Sequence, residues 1–223
     1  MITETWLKSC SDIALEIEGY HSKSLYRMGT SGGGIKIYYL KSINVTVLDS
    51  FTVCSDIYEN MVLNANVPGL GDILVCCFYR IPNRPFLQSI NFLTSFLQFC
   101  RSKRTVICGD FNIDIANQNN LRSTREYCDL MVSYSFLPQI NLPTYISLSN
   151  YTFMLSLDHA WHNFHVTSQS FVINPLFSDH SPIVILFNVN LLKLELNSVI
   201  SIRLTLIVSF PTQRKNFIAS AHP

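Results

Sequence analysis

The 223-residue sequence has little charge: 14% of its residues are charged and 48% are hydrophobic, and the net charge is +1. So little charge beside so much apolar material favours a well-buried globular domain over an intrinsically disordered chain. The length suits one α/β domain with a core on both faces of a sheet. The near-neutral balance also lacks the basic excess of many nucleic-acid binders, so composition alone leaves the partner open.

The seven cysteines include no C-x-x-C pair, and several stand in apolar runs such as 74–78 and 106–108. This usage is typical of buried thiols in a reducing compartment, so we expect an intracellular protein of the nucleus or cytoplasm. The first ten residues lack the basic and apolar regions of a signal peptide. The apolar stretch 199–210 is interrupted by Arg203 and is too short to span a bilayer, so we expect no membrane partner.

Hydrophobic periodicity predicts alternating strands and helices. Two amphipathic helices are expected over 86–101 and 121–134, the second with Leu121, Cys128, Met131 and Val132 on one face. Their irregular alternation with strands argues against a Rossmann fold and suits a layered α/β sandwich. The strands are predicted over 35–40, 45–48, 58–66, 73–79, 105–108, 151–155, 158–161, 169–173 and 183–187.

Four short segments place acidic, Asn or His side chains directly beside apolar stretches, at 3–6, 109–112, 156–159 and 178–182. Carboxylates at strand ends are costly to desolvate unless they bind a cation or a partner. Each segment alone is explained as well by a turn, a helix cap or a surface ion pair. Their joint occurrence favours a cation site at one sheet edge, which phosphoryl transfer requires.

Three histidines at three-residue steps, His159, His162 and His165, invite a zinc interpretation. On a strand, steps of three alternate between the two faces, so the three rings cannot converge on one ion. No cysteine or carboxylate set beyond Asp158 stands nearby to complete a zinc site. We therefore reject zinc.

Six segments carry a family resemblance: Glu-Thr-Trp-Leu at 4–7, Gly-Gly-Gly-Ile at 32–35, Tyr-Arg-Ile-Pro-Asn at 79–83, Gly-Asp-Phe-Asn at 109–112, Ser-Leu-Asp-His at 156–159 and Ser-Asp-His-Ser-Pro at 178–182. In order and spacing they resemble motifs of the endonuclease/exonuclease/phosphatase superfamily, and most of all those of LINE-type (non-LTR) retrotransposon endonucleases. The pairing of G-D-F-N with S-D-H is specific. The resemblance assigns residues 1–189 to this domain and leaves 190–223 as an unassigned apolar extension.

The resemblance implies a DNase I-like fold, a four-layer α/β/β/α sandwich in which two mixed sheets pack face to face. It implies Mg²⁺ as cofactor, with Mn²⁺ as the alternative, and double-stranded DNA as the partner of a monomeric protein. The implied reaction is in-line hydrolysis of a phosphodiester bond, which nicks one strand and leaves a 3′-hydroxyl.

The family's site residues carry over to the metal and the attacking water as follows. The resemblance makes Glu4 the principal metal ligand, since Mg²⁺ prefers hard oxygen ligands. It makes Asp179 either a ligand of a second cation or a structural hydrogen-bonding group. Asp110 would orient or deprotonate the water, and Asn112 would bind the phosphate and help to place that water.

The remaining implied roles concern the charge on the phosphate. Tyr79 would donate its hydroxyl to the phosphate, and His180 would stabilise the negative charge that grows in the transition state. Asp158 would fix the tautomer of His180 and support its protonated form.

The sequence departs from the family pattern ahead of Glu4, where the family's first strand, which ends in Asn, and its first helix have no counterpart. We therefore expect an N-terminally incomplete domain with an unpaired sheet edge and weak or no nuclease activity. Two alternatives stay open: a phosphatase of the same superfamily, and a non-catalytic retroelement remnant.

Overall fold

A computed structural model describes residues 1–7, 16–27, 32–117, 122–146, 154–174, 178–191 and 200–208, with backbone alone for 189–191 and 200–208. The described residues form two α-helices, α1 (Phe86–Cys100) and α2 (Arg122–Ser133). They also form the strands β1 (Ile2–Thr3), β2 (Tyr20–Leu25), β3 (Ile35–Leu40), β4 (Asn44–Val47), β5 (Val53–Cys54), β6 (Tyr58–Val67), β7 (Gly71–Arg80), β8 (Thr105–Asp110), β9 (Leu137–Pro138), β10 (Tyr145–Ile146), β11 (Met154–Leu155), β12 (Asp158–His162), β13 (Thr167–Val172), β14 (Ile183–Leu191) and β15 (Ile200–Val208).

The central layer is a seven-stranded sheet in the order β4-β6-β7-β8-β12-β9, with β5 paired to β6. Only β7 and β8 are parallel within it, and α1 forms the crossover between them, as a parallel pair requires. All other pairs in this sheet are antiparallel, so the sheet is mixed.

Both helices pack on one face of the seven-stranded sheet. Successive side chains of a strand point to opposite faces of the sheet, so every second residue faces the helices. The sheet residues on this face are Val62, Leu74, Cys76, Phe78, Ile107 and Trp161. From α1, Leu93, Phe96, Leu97 and Cys100 are buried here, and from α2, Tyr127 and Met131.

The opposite face of the sheet packs against β3 and β14. Ile35 and Ile37 of β3 join Met61, Leu63 and Cys77, while the β14 cluster includes Ile183, Ile185, Phe187, Val106 and Cys108. β3 lies between β1 and β2, and β14 lies between β13 and β15, in two antiparallel three-stranded sheets. A further short pair joins β10 and β11.

The layered α/β architecture confirms the predicted fold class. The second sheet layer is divided in two because, among the described strands, none pairs with an edge strand of both three-stranded sheets. Both described helices lie on the same side, so an outer helix layer over β3 and β14 is not part of the described ranges. Neither helix in those ranges has the length and hydrophobicity that a membrane-spanning helix needs.

Most predicted elements are present with shifts of one to four residues at their ends, and 35–40 is matched at both ends. The predicted face of the second helix is partly wrong: Val132 is 58% exposed, and Tyr127 fills the buried position instead. Leu121 and most of the predicted strand 151–155 lie outside the described residues. The sequence pattern did not predict β2, or β15, which pairs along β14 within the unassigned extension.

Gly109 permits the close approach of β8 to β7. Its φ is +144°, and an added Cβ would overlap the carbonyl oxygen of Phe78. We expect Gly109→Ala to lower the free energy of unfolding by about 3 kcal/mol or more, because backbone atoms cannot yield as a flexible side chain can. Urea denaturation measures this loss.

Gly71→Ala is the matched control. Gly71 also has a positive φ, +72°, but an added Cβ there meets no atom within 4 Å. The free energy of unfolding of Gly71→Ala should fall only by the cost of placing Ala at a positive φ, about 1 kcal/mol. Equal losses in the two variants would contradict the steric account.

Candidate active site

Strand register brings three predicted site residues to the same edge of the central sheet. Tyr79 of β7 is paired with Asp110 of β8, and Asp110 is paired in turn with Asp158 of β12. All three are buried. Two of the four segments that the sequence singled out, 109–112 and 156–159, therefore meet beside Tyr79 at neighbouring positions on three adjacent strands.

Asp110, Asp158 and His180 form a cluster in which one potential ligand atom from each residue lies within 4.8 Å of the others. His180 Nδ1 lies 2.9 Å from Asp158 Oδ2 and 3.1 Å from Oδ1. A backbone bridge joins position 180 to Tyr145 of β10, whose ring meets the imidazole edge-on at 5.1 Å.

The protonation of this cluster follows from burial and from the mutual charges. Burial and the adjacent Asp158 carboxylate raise the pKa of Asp110 well above its ordinary value. Burial alone would lower the pKa of His180, but the hydrogen bond and charge of Asp158, helped by Asp110, raise it to about 9. His180 is therefore an imidazolium at neutral pH, and its Nδ1–H donates to Asp158.

The G-D-F-N segment is a tight turn closed by its own side chains. The Asn112 backbone N–H donates to Asp110 Oδ1 at 2.9 Å, and Asn112 Nδ2 donates to Asp110 Oδ2 at 3.2 Å. Nδ2 also donates to the carbonyl of Arg80 at 2.8 Å. Asn112 has a φ of +48°, a conformation that Asn tolerates better than most residues. The turn thus fixes the Asp110 carboxylate from two sides.

Glu4 reaches the same region from β1. The Tyr79 hydroxyl donates a hydrogen bond to Glu4 Oε1. Burial, followed by the charge of Glu4, raises the pKa of Tyr79 far above its ordinary range, so this hydroxyl keeps its proton. The Glu4 carboxylate is also close enough for its charge to raise the pKa of Asp110.

Asp179, the other predicted metal ligand, stands next to His180 but outside the three-residue cluster. Its backbone carbonyl accepts a hydrogen bond from Ile146 N at 2.9 Å, and its charge helps to raise the pKa of His180. The region therefore holds four carboxyl groups, the His180 imidazolium and, near Asp110, the Arg80 guanidinium. Such an excess of hard oxygen ligands fits a divalent cation like Mg²⁺, which prefers carboxylate oxygens.

His159 lies in the buried core. Its Nδ1 lies 3.0 Å from the Tyr127 hydroxyl and its Nε2 lies 2.9 Å from the carbonyl of Ser156. Burial lowers the pKa of His159 to about 4, so the ring is neutral. Both ring nitrogens are thus engaged within the protein.

Two residues that support the site were missed in the sequence. Thr144 is fully buried, and its hydroxyl oxygen accepts the backbone N–H of Asp158 at 2.9 Å and of Leu157 at 3.1 Å. Arg80 donates to the carbonyl of Asn112 at 3.3 Å. Arg80 belongs to the motif at 79–83, so the sequence gives a reason to consider it. A single Thr after a Pro gives no sequence signal for a role in the site.

We expect the pKa of His180 to fall to 6.5 or below in Asp158→Asn, because the main partner that opposes the effect of burial is removed. Since the folded pKa lies above the unfolded value, this group's stabilisation is complete below about pH 6.5 and is lost as pH rises through about 9. Wild-type stability should therefore decline between pH 7 and 10 more steeply than that of the variant. Histidine NMR titration with urea unfolding at each pH measures both, and an unchanged His180 pKa in the variant would refute the pairing.

Comparison with solved structures gives two informative neighbours. The endonuclease domain of TRAS1, a telomere-specific non-LTR retrotransposon, superposes with a TM-score of 0.63 at 13% identity, over 79% of this chain and 83% of that one. An endonuclease/exonuclease/phosphatase family protein from Bacteroides thetaiotaomicron superposes with a TM-score of 0.52 at 11% identity, over 74% of this chain and 73% of that one. No family model and no curated protein matches the sequence. The chain therefore has the fold of endonuclease/exonuclease/phosphatase proteins, retrotransposon endonucleases included, as its motifs predicted.

Proposed function

We propose that this chain is a Mg²⁺-dependent phosphodiesterase that nicks one strand of double-stranded DNA. The observation that carries the proposal is the convergence of Asp110, Asp158 and His180 within 4.8 Å at one sheet edge, beside Tyr79. A buried cluster of this kind is costly for stability alone, and it is what hydrolysis of a phosphate ester needs. The proposed catalytic domain is residues 1–189.

The metal would be held by the Glu4 carboxylate, with Asp179 as the candidate for a second cation. Mg²⁺ is the proposed ion, and Mn²⁺ would serve the same oxygen ligands. When bound, the ion supplies positive charge that offsets the charge on the phosphate oxygens. Before a cation engages it, the Glu4 carboxylate is held by the hydrogen bond that the Tyr79 hydroxyl donates to Oε1.

Activation of the attacking water falls to Asp110. Its pKa is raised by burial and by Asp158, so the ionised carboxylate is a stronger base than an exposed aspartate. Asn112, bonded to Asp110 through its backbone and side chain, holds that carboxylate in place. A water that hydrogen-bonds Asp110 would give up its proton there as it attacks phosphorus, while the bond from phosphorus to the 3′-oxygen breaks and that oxygen takes up a proton from solvent to leave as the 3′-hydroxyl.

Stabilisation of the transition state falls to His180. The imidazolium, whose Nδ1–H donates to Asp158, carries a positive charge at this sheet edge that would stabilise the non-bridging phosphate oxygens. The hydroxyl of Tyr79, which keeps its proton, is a donor for the phosphate once a cation engages Glu4. Both groups gain strength as negative charge accumulates, and this differential binding lowers the barrier.

DNA is the proposed partner because the neighbour TRAS1 is named as the endonuclease of a retrotransposon, and its fold is shared over most of both chains. Every proposed site residue comes from one chain, so we propose a monomer. The free buried cysteines Cys76, Cys77, Cys100 and Cys108 support a reducing compartment, nuclear or cytoplasmic.

We expect slow, Mg²⁺-dependent conversion of supercoiled plasmid to the nicked circle. Asp110→Asn should lower the rate by about 10²–10⁴-fold because the base is lost, and His180→Gln by about 10²–10³-fold because a positive charge is lost. Gel quantification of nicked circles over time measures both effects.

Asp72→Asn is the control, since Asp72 is exposed at the end of β7 opposite Tyr79. It should nick at the wild-type rate. Equal nicking by the wild type and Asp110→Asn would contradict the proposal. Absence of nicking by every protein would favour the non-catalytic alternative, and release of phosphate from a phosphomonoester in place of nicking would favour the phosphatase.

A further inference from the structure

A second buried charge pair, Arg27–Glu59, lies beside the site and takes no part in the proposed chemistry. Glu59 is the second residue of β6 and is fully buried. Arg27 lies two residues after the end of β2, and its side chain is 13% exposed. Arg27 Nε lies 2.5 Å from Glu59 Oε1. The free-energy cost of removing two charges from water often exceeds the attraction between them. Stability alone therefore does not explain why this pair is buried.

Both ends of this pair hold the glycine segment 32–34. Glu59 Oε2 accepts the backbone N–H of Gly34 at 2.7 Å. Gly33 has a φ of +75°, and an added Cβ there would overlap the Arg27 guanidinium. The glycine backbone therefore lies against the ion pair, in a positive-φ conformation that favours glycine.

The glycine segment in turn holds the chain around Glu4. Thr5 N donates to the carbonyl of Gly34 at 3.2 Å, and Trp6 N donates to that of Gly33 at 2.9 Å. Glu4 and Trp6 have φ values of +51° and +57°, in the left-handed region that such residues rarely adopt. A conformation of this cost persists only where neighbours fix it. The two hydrogen bonds to the glycine carbonyls supply that restraint.

The same pair contacts the other group that touches Glu4. Glu59 is the cross-strand partner of Tyr79 between β6 and β7. Arg27 Cζ lies 5.8 Å from the centre of the Tyr79 ring, within the range of a cation–π contact. Arg27 Nη2 is buried and has no acceptor within the described ranges, which is consistent with a guanidinium placed against the ring.

We propose that Arg27 and Glu59 are a positioning pair: they fix the Glu4 carboxylate for the metal through the glycine segment on one side and Tyr79 on the other. This inference rests on the proposed function, because it assigns Glu4 to a cation. Its rival is a purely structural ion pair that only joins the end of β2 to β6.

The experiment measures Mn²⁺ affinity by the loss of the free-ion electron paramagnetic resonance signal, with thermal unfolding recorded alongside. Arg27→Met and Glu59→Leu should each lower the unfolding temperature, because each leaves one charge or its partners unsatisfied. The double variant Arg27→Met/Glu59→Leu should regain much of that loss, since no charge stays buried alone. Its Mn²⁺ affinity should nevertheless remain at least tenfold weaker than that of the wild type.

Arg27→Lys provides a variant that keeps the charge and the fold but loses the planar fork, and we expect about fivefold weaker Mn²⁺ binding. The matched control replaces the exposed pair on α2, as Arg122→Met/Glu126→Leu, and should bind Mn²⁺ as the wild type does.

Wild-type Mn²⁺ affinity in the folded double variant, or in Arg27→Lys, would overturn the positioning role and leave the proposed function intact, provided that Glu4→Gln abolishes binding. Absence of specific Mn²⁺ binding by the wild type itself, with no difference from Glu4→Gln, would overturn both.

Discussion

Two carboxylates lie buried side by side where β8 and β12 pair, and the rest of the site depends on how their charge is held. Asp110 and Asp158 are register partners, the His180 imidazolium contacts Asp158, and the Arg80 guanidinium lies near Asp110. Burial favours the neutral carboxyl and the neutral imidazole, while the mutual contact favours the ion pair. The raised pKa of His180 shows that the contact prevails, whereas burial, followed by the charge of Asp158, keeps the pKa of Asp110 above its ordinary value. An added cation is the natural complement.

The sheet makes this cluster rigid enough to be useful. β7 and β8 are apolar on both faces, with α1 on one side and β3 or β14 on the other, so the strand ends that carry Tyr79 and Asp110 cannot shift independently. Gly109, the residue before Asp110, lets the end of β8 approach the backbone of Phe78 in β7. Preorganised groups of this kind act on a transition state without first having to rearrange.

Much of this could be predicted from sequence because the signals were local. The helix expected over 86–101 is observed at Phe86–Cys100, and the strand before Asp110 was an unbroken apolar run. The residues of the candidate site were predicted through short motifs whose polar members follow such runs. The strand β2 has mostly exposed, polar side chains, so hydrophobic periodicity does not predict it. Val132 is exposed although its sequence position next to Met131 predicts a place on the buried helix face. Arg27, Glu59 and Thr144 could not be found, because their importance lies in contacts between residues far apart in the chain.

The central claim is that Glu4 and the Asp110–Asp158–His180 cluster share one cation-binding pocket. Its most direct test is anomalous diffraction from a crystal soaked in Mn²⁺. The account predicts a strong peak at a distance of about 2.5 Å or less from a Glu4 carboxylate oxygen, on the side of the cluster. A peak elsewhere on the molecule, with no anomalous density beside Glu4, would contradict it.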